Sequence, residues 1–361
     1  KHRTTIEVLG IDMSKAFDTV SRAKLLTVME PIVGEDNIRL IRVLLCNTTL
    51  RIRLGTDMSS LFNTNVGTPQ SDALSPVLFV VYLESALRDF RAAAPPRPLQ
   101  DQHLPPEVIY ADDTDFISSS RQWLTDIEPI AAEVLGEWHL RVNHDKTERT
   151  TFRREKDRIA EDWRSTRKLG SLIGDEQDVI RRKQLASAAY QSMFSLWRRS
   201  KQISERVRLR LYNTLIVPIL LYNCGTWGLT AATEERLDSF HRRQLRSLIG
   251  VRWPQRISNI NVYSRCGAEP ISATVKRARW RLMGHVLRLP GDTPAVMAMK
   301  AYFVCREGSF RGRPRTTLVT TLSKDLEKKN MAKLKTAADL DSLRSTAASR
   351  EEWRDFCRAL Y

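Results

Sequence analysis

The chain has 361 residues, 42% hydrophobic and 28% charged, which suits two or three domains with real cores and excludes a wholly disordered chain. Its net charge of +16 is uneven: residues 1–150 hold 16 Lys+Arg against 21 Asp+Glu, and residues 151–361 hold 42 against 21. The longest apolar runs, around Ser75–Leu83 and Leu215–Tyr222, are too short to span a bilayer, and no secretory pattern opens the chain.

Thr5–Ile11 reads as a buried strand that ends on Asp12. Ser21–Val28 and Asn37–Leu45 carry helical apolar spacing, and Leu50–Leu54 with Leu61–Val66 predicts a hairpin. Gly67–Gln70 is a turn, Asp72–Phe90 a long helix, and the Pro-rich residues 94–106 a loop. Glu107–Tyr110 and Thr114–Ser118 read as short strands, with Ala111-Asp112-Asp113 as the turn between them. Thr125–Glu137 reads as a helix, and Arg141–Asn143 and Thr150–Phe152 as extended pieces. Beyond residue 175 the pattern is mostly helical: Asp178–Lys201, Ser204–Tyr222, Thr233–Ile249 and Ile271–Leu289. Ser204 and Thr233 are the expected caps of two of these helices. Residues 307–316 read as a flexible basic connector, and 323–361 as one or two charged terminal helices.

A basic back half commonly meets a polyanion, because cationic side chains displace condensed counterions from phosphates. The plain alternative is a solvated basic surface. Five scattered cysteines (Cys46, Cys224, Cys266, Cys305, Cys357) argue against a disulfide framework and for a reducing compartment. No Cys-x-x-Cys pair suggests a zinc ribbon, and the spacing of Cys266, His285 and Cys305 fits no metal pattern, so the thiols read as buried. Trp197, Trp227, Trp253 and Trp280 are candidate stacking platforms for bases, although helical spacing makes core anchors the ordinary reading.

The sharpest feature is Tyr110-Ala111-Asp112-Asp113. Adjacent carboxylates repel unless a cation neutralises them, and two Mg²⁺ ions roughly 3.5–4 Å apart are the usual reason such clusters persist in phosphoryl transfer. Asp12 closes an apolar strand and is the candidate third ligand. Turn chemistry alone also explains an Asp-Asp pair.

The surrounding residues resemble reverse transcriptases of non-LTR retrotransposons. Ile11–Val20 resembles the first palm motif, Gly67–Pro76 the next, and Tyr110–Asp113 the metal-binding motif. Leu140–Glu148 resembles the motif that follows, and Lys168-Leu169-Gly170 the primer-grip hairpin that closes the palm. Arg206–Trp227, Arg279–Arg288 and Arg311–Arg315 are similar to downstream segments of the same elements. The resemblance implies an α+β fold, a right-hand polymerase palm with an antiparallel sheet packed on helices, followed by a mostly helical thumb and C-terminal region. The implied domains are a palm over 1–174, a thumb-like domain over 175–250 and a basic helical region over 251–361. It implies an RNA-directed DNA polymerase that adds dNTPs to a primer 3′-OH on an RNA template. Two Mg²⁺ ions, or Mn²⁺, would be held by Asp12, Asp112 and Asp113. Phe17 falls where the family carries the aromatic that blocks a ribose 2′-OH, Gln70 where it contacts the template–dNTP pair, and Lys146 near the triphosphate. Ser71 stands where the family has Gly. The sequence opens just before the first palm motif, without the fingers, so this chain alone is expected to be a weak or inactive polymerase. Residence in a nuclear or cytoplasmic ribonucleoprotein follows from the same resemblance. Two other readings stay open: a relic that binds RNA or DNA through its basic half, and a helical RNA-binding protein.

Overall fold

The computed structural model describes residues 5–69, 72–102, 104–152, 163–198, 202–304 and 316–360. It divides into two compact units, His2–Glu161 and Asp162–Tyr361.

The first unit is built on a four-stranded antiparallel sheet. Its order is Glu148–Phe152, Ile6–Ile11, Asp113–Ser118, Glu107–Tyr110. The strand Ile6–Ile11 is central because it is apolar and can be buried between neighbours. One face of the sheet carries Leu9 and Phe116, both fully buried. The helices Ser75–Ala93 and Arg121–Glu137 pack Phe79, Phe90, Leu124 and Ile127 into the same core. Phe90 and Phe116 meet at 5.0 Å between ring centres. This is the expected α+β arrangement.

Local outcomes refine the expected boundaries. The hairpin around residue 55 is double: Thr48–Leu50 pairs with Phe62–Thr64, and inside it Arg53–Leu54 pairs with Asp57–Met58. The Pro-rich loop is pinned by Asp101, which is fully buried and accepts from the Ser118 hydroxyl and the Ser119 N–H.

The second unit is mainly helical, with two cores. The first gathers side chains from Val179 to Val275, the second from Trp280 to Leu360. The helix Ile271–Arg288 serves both, burying Ile271 and Val275 in one and Trp280, Met283 and Leu287 in the other. The expected Asp178–Lys201 helix begins earlier, at Asp175, and breaks after Ser192; a short helix, Phe194–Arg198, follows. The expected Ser204–Tyr222 helix is also interrupted. Glu205–Leu211 is α-helical, Tyr212–Ile216 widens to a π-helix, and Val217–Leu220 returns to α. Pro218 explains the widening, because it has no N–H and its ring clashes with the carbonyl four residues back. Ser204 caps as expected, accepting from Val207 N–H at 3.3 Å. The later helix is capped by Thr230, not Thr233, and runs Ala231–Leu248. Two further helices, Asn259–Cys266 and Pro294–Val304, were not expected: the first is only eight residues long, and the second is apolar almost throughout and so shows no one-sided period. The C-terminal segment forms three helices, Leu318–Glu327, Ala337–Ala348 and Arg350–Ala359. The basic connector lies almost wholly outside the described residues. Cys224 and Cys266 are buried free thiols, while Cys46 is exposed; Cys305 lies outside the described residues. No helix among the described residues is long and apolar enough to cross a membrane.

One core pair is expected to make this unit acid-sensitive. The Tyr212 hydroxyl and His241 Nδ1 are 2.9 Å apart and both residues are buried. Burial lowers the His241 pKa to about 4, with the neighbouring Arg242 charge adding to the effect. The ring is therefore neutral in the fold, while the unfolded chain protonates it below about pH 6.5. The contribution to stability is complete above that pH and is lost as the pH falls from 6.5 towards 4, by up to ~3 kcal/mol. Urea melts across this window should show that slope, and His241→Phe should remove most of it.

Candidate active site

The central strand Ile6–Ile11 delivers Asp12 to one end of the sheet. Ile11 pairs with Thr114 and Gly10 with Asp115. One step further in the same register, Asp12 falls opposite Asp113. Side chains alternate along a strand, and Thr114, Phe116 and Ser118 are buried while Asp113, Asp115 and Ile117 are not. Opposed residues of an antiparallel pair share a face. Asp12, Asp113 and Asp115 therefore lie on the face away from the Leu9–Phe116 core. Glu148, opposite Gly10 on the other flank, joins them. Gly10 has no side chain, so a gap separates Asp115 from Glu148 across the central strand.

The reversal between the two aspartate-bearing strands is tighter than the sequence implies. Tyr110 pairs directly with Asp113, so the turn is only Ala111-Asp112, and Asp113 belongs to the strand. Ala111 takes φ +53°, a left-handed conformation that costs a residue with a Cβ roughly 1–2 kcal/mol. That strain is local to the motif that carries Asp112.

Lys146 reaches the same end of the sheet. It sits in the tight turn His144–Lys146, and its Nζ lies 3.5 Å from Asp12 Oδ2. The Asn143 N–H donates to the Asp12 carbonyl at 2.8 Å and holds this segment against the strand end. Among the described residues, no three acidic, histidine or cysteine groups converge closely enough to hold an ion by themselves. Lys146 supplies a counter-charge to Asp12. The donor set is nevertheless one of hard carboxylate oxygens on a partly exposed face. That chemistry fits Mg²⁺, which takes few protein oxygens and completes its shell with water and phosphate.

Phe17 sits in the short helix Ala16–Thr19, half-buried, with its ring stacked on Phe79 at 4.3 Å. Its carbonyl accepts the Thr68 N–H at 2.9 Å, and the Val20 carbonyl accepts the Gly67 N–H at 2.8 Å. The Gly67 turn is thereby laid against the aromatic. Gly67 has φ +76°, and a Cβ on it would lie 2.8 Å from the Asp18 carbonyl oxygen. Both the backbone conformation and the contact demand glycine. Gly67→Ala should lower stability by about 1–2 kcal/mol, read as a fall in Tm. Gln70 and Ser71 lie outside the described residues.

Arg22 is the residue that the sequence did not flag. It is 6% exposed, and its guanidinium donates to the carbonyls of Gly67, Leu45 and Thr64 and to the Thr48 hydroxyl. It fastens the Gly67 turn to the hairpin and to the end of the Glu35–Leu45 helix. Nothing in its neighbourhood of the sequence distinguishes it from a surface arginine.

The sequence matches the reverse transcriptase (RNA-dependent DNA polymerase) family over residues 1–184, just over half of the chain. The chain belongs to that family. The matched span contains all six candidate site residues, Asp12, Phe17, Gln70, Asp112, Asp113 and Lys146. No curated protein matches the chain at a significant level. Among solved structures it is similar to apo telomerase from Candida tropicalis truncated from its C-terminal domain, with 14% identity and a TM-score of 0.37, over 46% of this chain and 33% of that one. It is also similar to Candida tropicalis telomerase in complex with a TWJ fragment of telomeric RNA, with 13% identity and a TM-score of 0.38, over 82% and 49%. The corresponding Candida albicans complex gives 12% identity and a TM-score of 0.29, over 84% and 50%. The chain thus spans a third to a half of the length of these structures.

The reverse transcriptase match extends into the second unit and includes the Lys168-Leu169-Gly170 motif. Arg167–Lys168 and Ser171–Leu172 form a two-stranded hairpin whose turn residues have φ +47° and +79°. Two successive left-handed residues suit a primed turn, whose twist matches the strands. Arg181 and Arg182 both donate to the Gly170 carbonyl, and the Tyr222 hydroxyl donates to the Leu169 carbonyl. The hairpin tip is thus fixed by three side chains, two from the helix Asp175–Ser192 and one from the turn after Val217–Leu220.

Proposed function

We propose that this chain is the palm and helical region of an RNA-directed DNA polymerase of the non-LTR retrotransposon type. The reaction is attack of a primer 3′-OH on the α-phosphate of a dNTP, with pyrophosphate leaving. The observation that supports the reading is the strand register that pairs Ile11 with Thr114, from which the next step along each strand gives Asp12 and Asp113, near the strained Ala111-Asp112 turn and within a span that matches the family. Asp12, Asp112 and Asp113 would hold two Mg²⁺ ions, which when bound favour the primer alkoxide and neutralise charge developing on the phosphate. Lys146, 3.5 Å from Asp12, would pair with triphosphate oxygens. Phe17, braced by Phe79, presents an aromatic wall against the 2′-position of the incoming sugar. In this reading residues 1–174 are the palm, 175–250 a thumb-like domain and 251–361 a basic C-terminal region, and the site of action is a nuclear or cytoplasmic ribonucleoprotein.

A second reading is favoured by the charge distribution. Residues 151–361 carry twice as many basic as acidic side chains, so the chain would bind RNA or DNA without polymerising. Primer extension on poly(rA)·oligo(dT) with Mg²⁺ separates the two. Extension that requires Asp112 supports the polymerase; strong nucleic-acid binding with no extension, from this chain and from a longer parent, supports the binding protein.

A further inference from the structure

The second unit carries an arginine-lined groove that the polymerase reading does not use. It is an open groove of about 510 Å³ between the helix Ala231–Leu248 and the segment that follows it. Arg242, Arg243, Arg246 and Arg252 line it, together with serine and asparagine side chains, and no carboxylate does among the described residues. On the helix, Ser239, Arg242, Arg243 and Arg246 recur at three- and four-residue spacing, which places them along one face.

Two of the four arginines build the groove. Arg242 is paired with Glu235. Arg246 donates to the Ile257 carbonyl at 3.2 Å and to Asn259 Oδ1 at 2.7 Å, and so holds the far wall against the helix. The other two, Arg243 and Arg252, are exposed. Arg242 is neutralised by Glu235, but the guanidinium groups of Arg243, Arg246 and Arg252 around one concavity repel one another, and an anion lying in it relieves that repulsion.

The second observation is Trp253. It follows Arg252 directly and is 89% exposed. Of the eight tryptophans in the chain, all among the described residues, it is the one that is exposed. Trp197, Trp227 and Trp280, the other three considered as stacking platforms, are buried. A flat aromatic surface beside a row of arginines is the combination that recognises single strands: charge tracks the phosphates, and the ring stacks on a base whatever its identity.

We propose that this groove binds single-stranded nucleic acid, with phosphates along Arg243 and Arg252 and a base stacked on Trp253. The proposal rests on the reading of the chain as a handler of nucleic acid, and it is read by binding rather than by extension. The test is fluorescence anisotropy of the full chain with labelled oligo(rU) and, in a parallel arm, oligo(dT), across a salt series. The variants are R243A/R252A, W253A, W253F and, as a control for diffuse charge, R350A/R354A on the terminal helix. Removing the two groove arginines should flatten the slope of log K against log salt by about 1.4. W253A should weaken binding about 5- to 100-fold, and W253F should recover most of it. All the substituted residues are exposed, so melting curves should be unchanged. Tighter binding in one arm assigns RNA or DNA as the source of the strand and supports the site. The proposal is overturned if the groove variants bind with unchanged affinity and slope, or if the control pair loses as much. It is also overturned if polyglutamate displaces the probe as well as unlabelled oligonucleotide does, since the groove would then serve an acidic protein segment. Asp112→Asn should leave this binding intact, so failure of the polymerase reading and failure of the groove appear in different assays.

Discussion

Asp112→Asn and Asp12→Asn are each expected to reduce whatever Mg²⁺-dependent primer extension the wild-type chain gives by on the order of 10²–10³-fold or more. The amide keeps the shape of the side chain and its capacity for hydrogen bonding, so what is removed is the negative charge. Asp12 is only partly exposed, at 25% of its side chain, and its one described ionic partner is Lys146, itself 68% exposed. An ion pair that open contributes about 0–1 kcal/mol, so the folded state should barely notice its loss and Tm should stay nearly constant. A loss of rate without a loss of stability is the signature of charge used on the substrate side. Asp115 supplies the internal comparison. It shares the face of Asp113 but lies two residues further along the strand, opposite Gly10. Asp115→Asn should cost no more than about tenfold if it only adds to the field of the acidic face. Equal losses at Asp12, Asp112 and Asp115 would show that the face acts as a diffuse potential. Undiminished extension by Asp112→Asn would sink the assignment of the turn as the metal-binding motif.

What was legible in the sequence was set by local rules. The strand ending on Asp12, the two strands around the Asp-Asp turn and the long helix after Gly67 follow from period and punctuation, and they appear within a few residues of their expected bounds. The face of the sheet that carries Asp12 was not legible. It depends on the register between segments more than one hundred residues apart, and a slip of one residue would have turned every carboxylate to the core side. The placement of Asp113 in the strand rather than the turn is a product of the same register. Arg22 was illegible for a different reason. A buried arginine satisfied by four backbone or hydroxyl oxygens has no pattern of its own, because its partners come from three separate segments. The break at Tyr212–Ile216 could have been anticipated from Pro218, whose effect on the preceding turn is local.

Arg279→Ala is expected to lower the stability of the helical unit by about 3–5 kcal/mol. An arginine in an amphipathic helix reads as surface, and in the segment Arg279–Arg288 it alternates with other basic residues. In the fold it is 1% exposed. Its Nε faces the Trp227 carbonyl at 3.3 Å, one terminal nitrogen donates to Asp325 Oδ2 at 3.0 Å, and the other lies 3.8 Å from Glu234 Oε1. Asp325 is itself 6% exposed and also accepts the Trp280 indole N–H at 3.1 Å. The Trp280 carbonyl in turn accepts the Trp353 indole N–H, so the arginine stands at the head of a chain that reaches the terminal helix. Truncation leaves Asp325 as a buried carboxylate that has lost its guanidinium partner, with Lys276 Nζ at 3.9 Å. The penalty is mostly that stranded charge rather than the lost attraction of the pair, because bringing both ions out of water has already offset much of their Coulomb energy. The double variant Arg279→Met/Asp325→Leu should therefore be more stable than Arg279→Ala alone, recovering about half of the loss or more. Urea melts followed by circular dichroism give both numbers. If the double variant is as unstable as the sum of the single ones, the network acts through its geometry, anchoring Trp227, Trp280 and Trp353, and the charge argument fails.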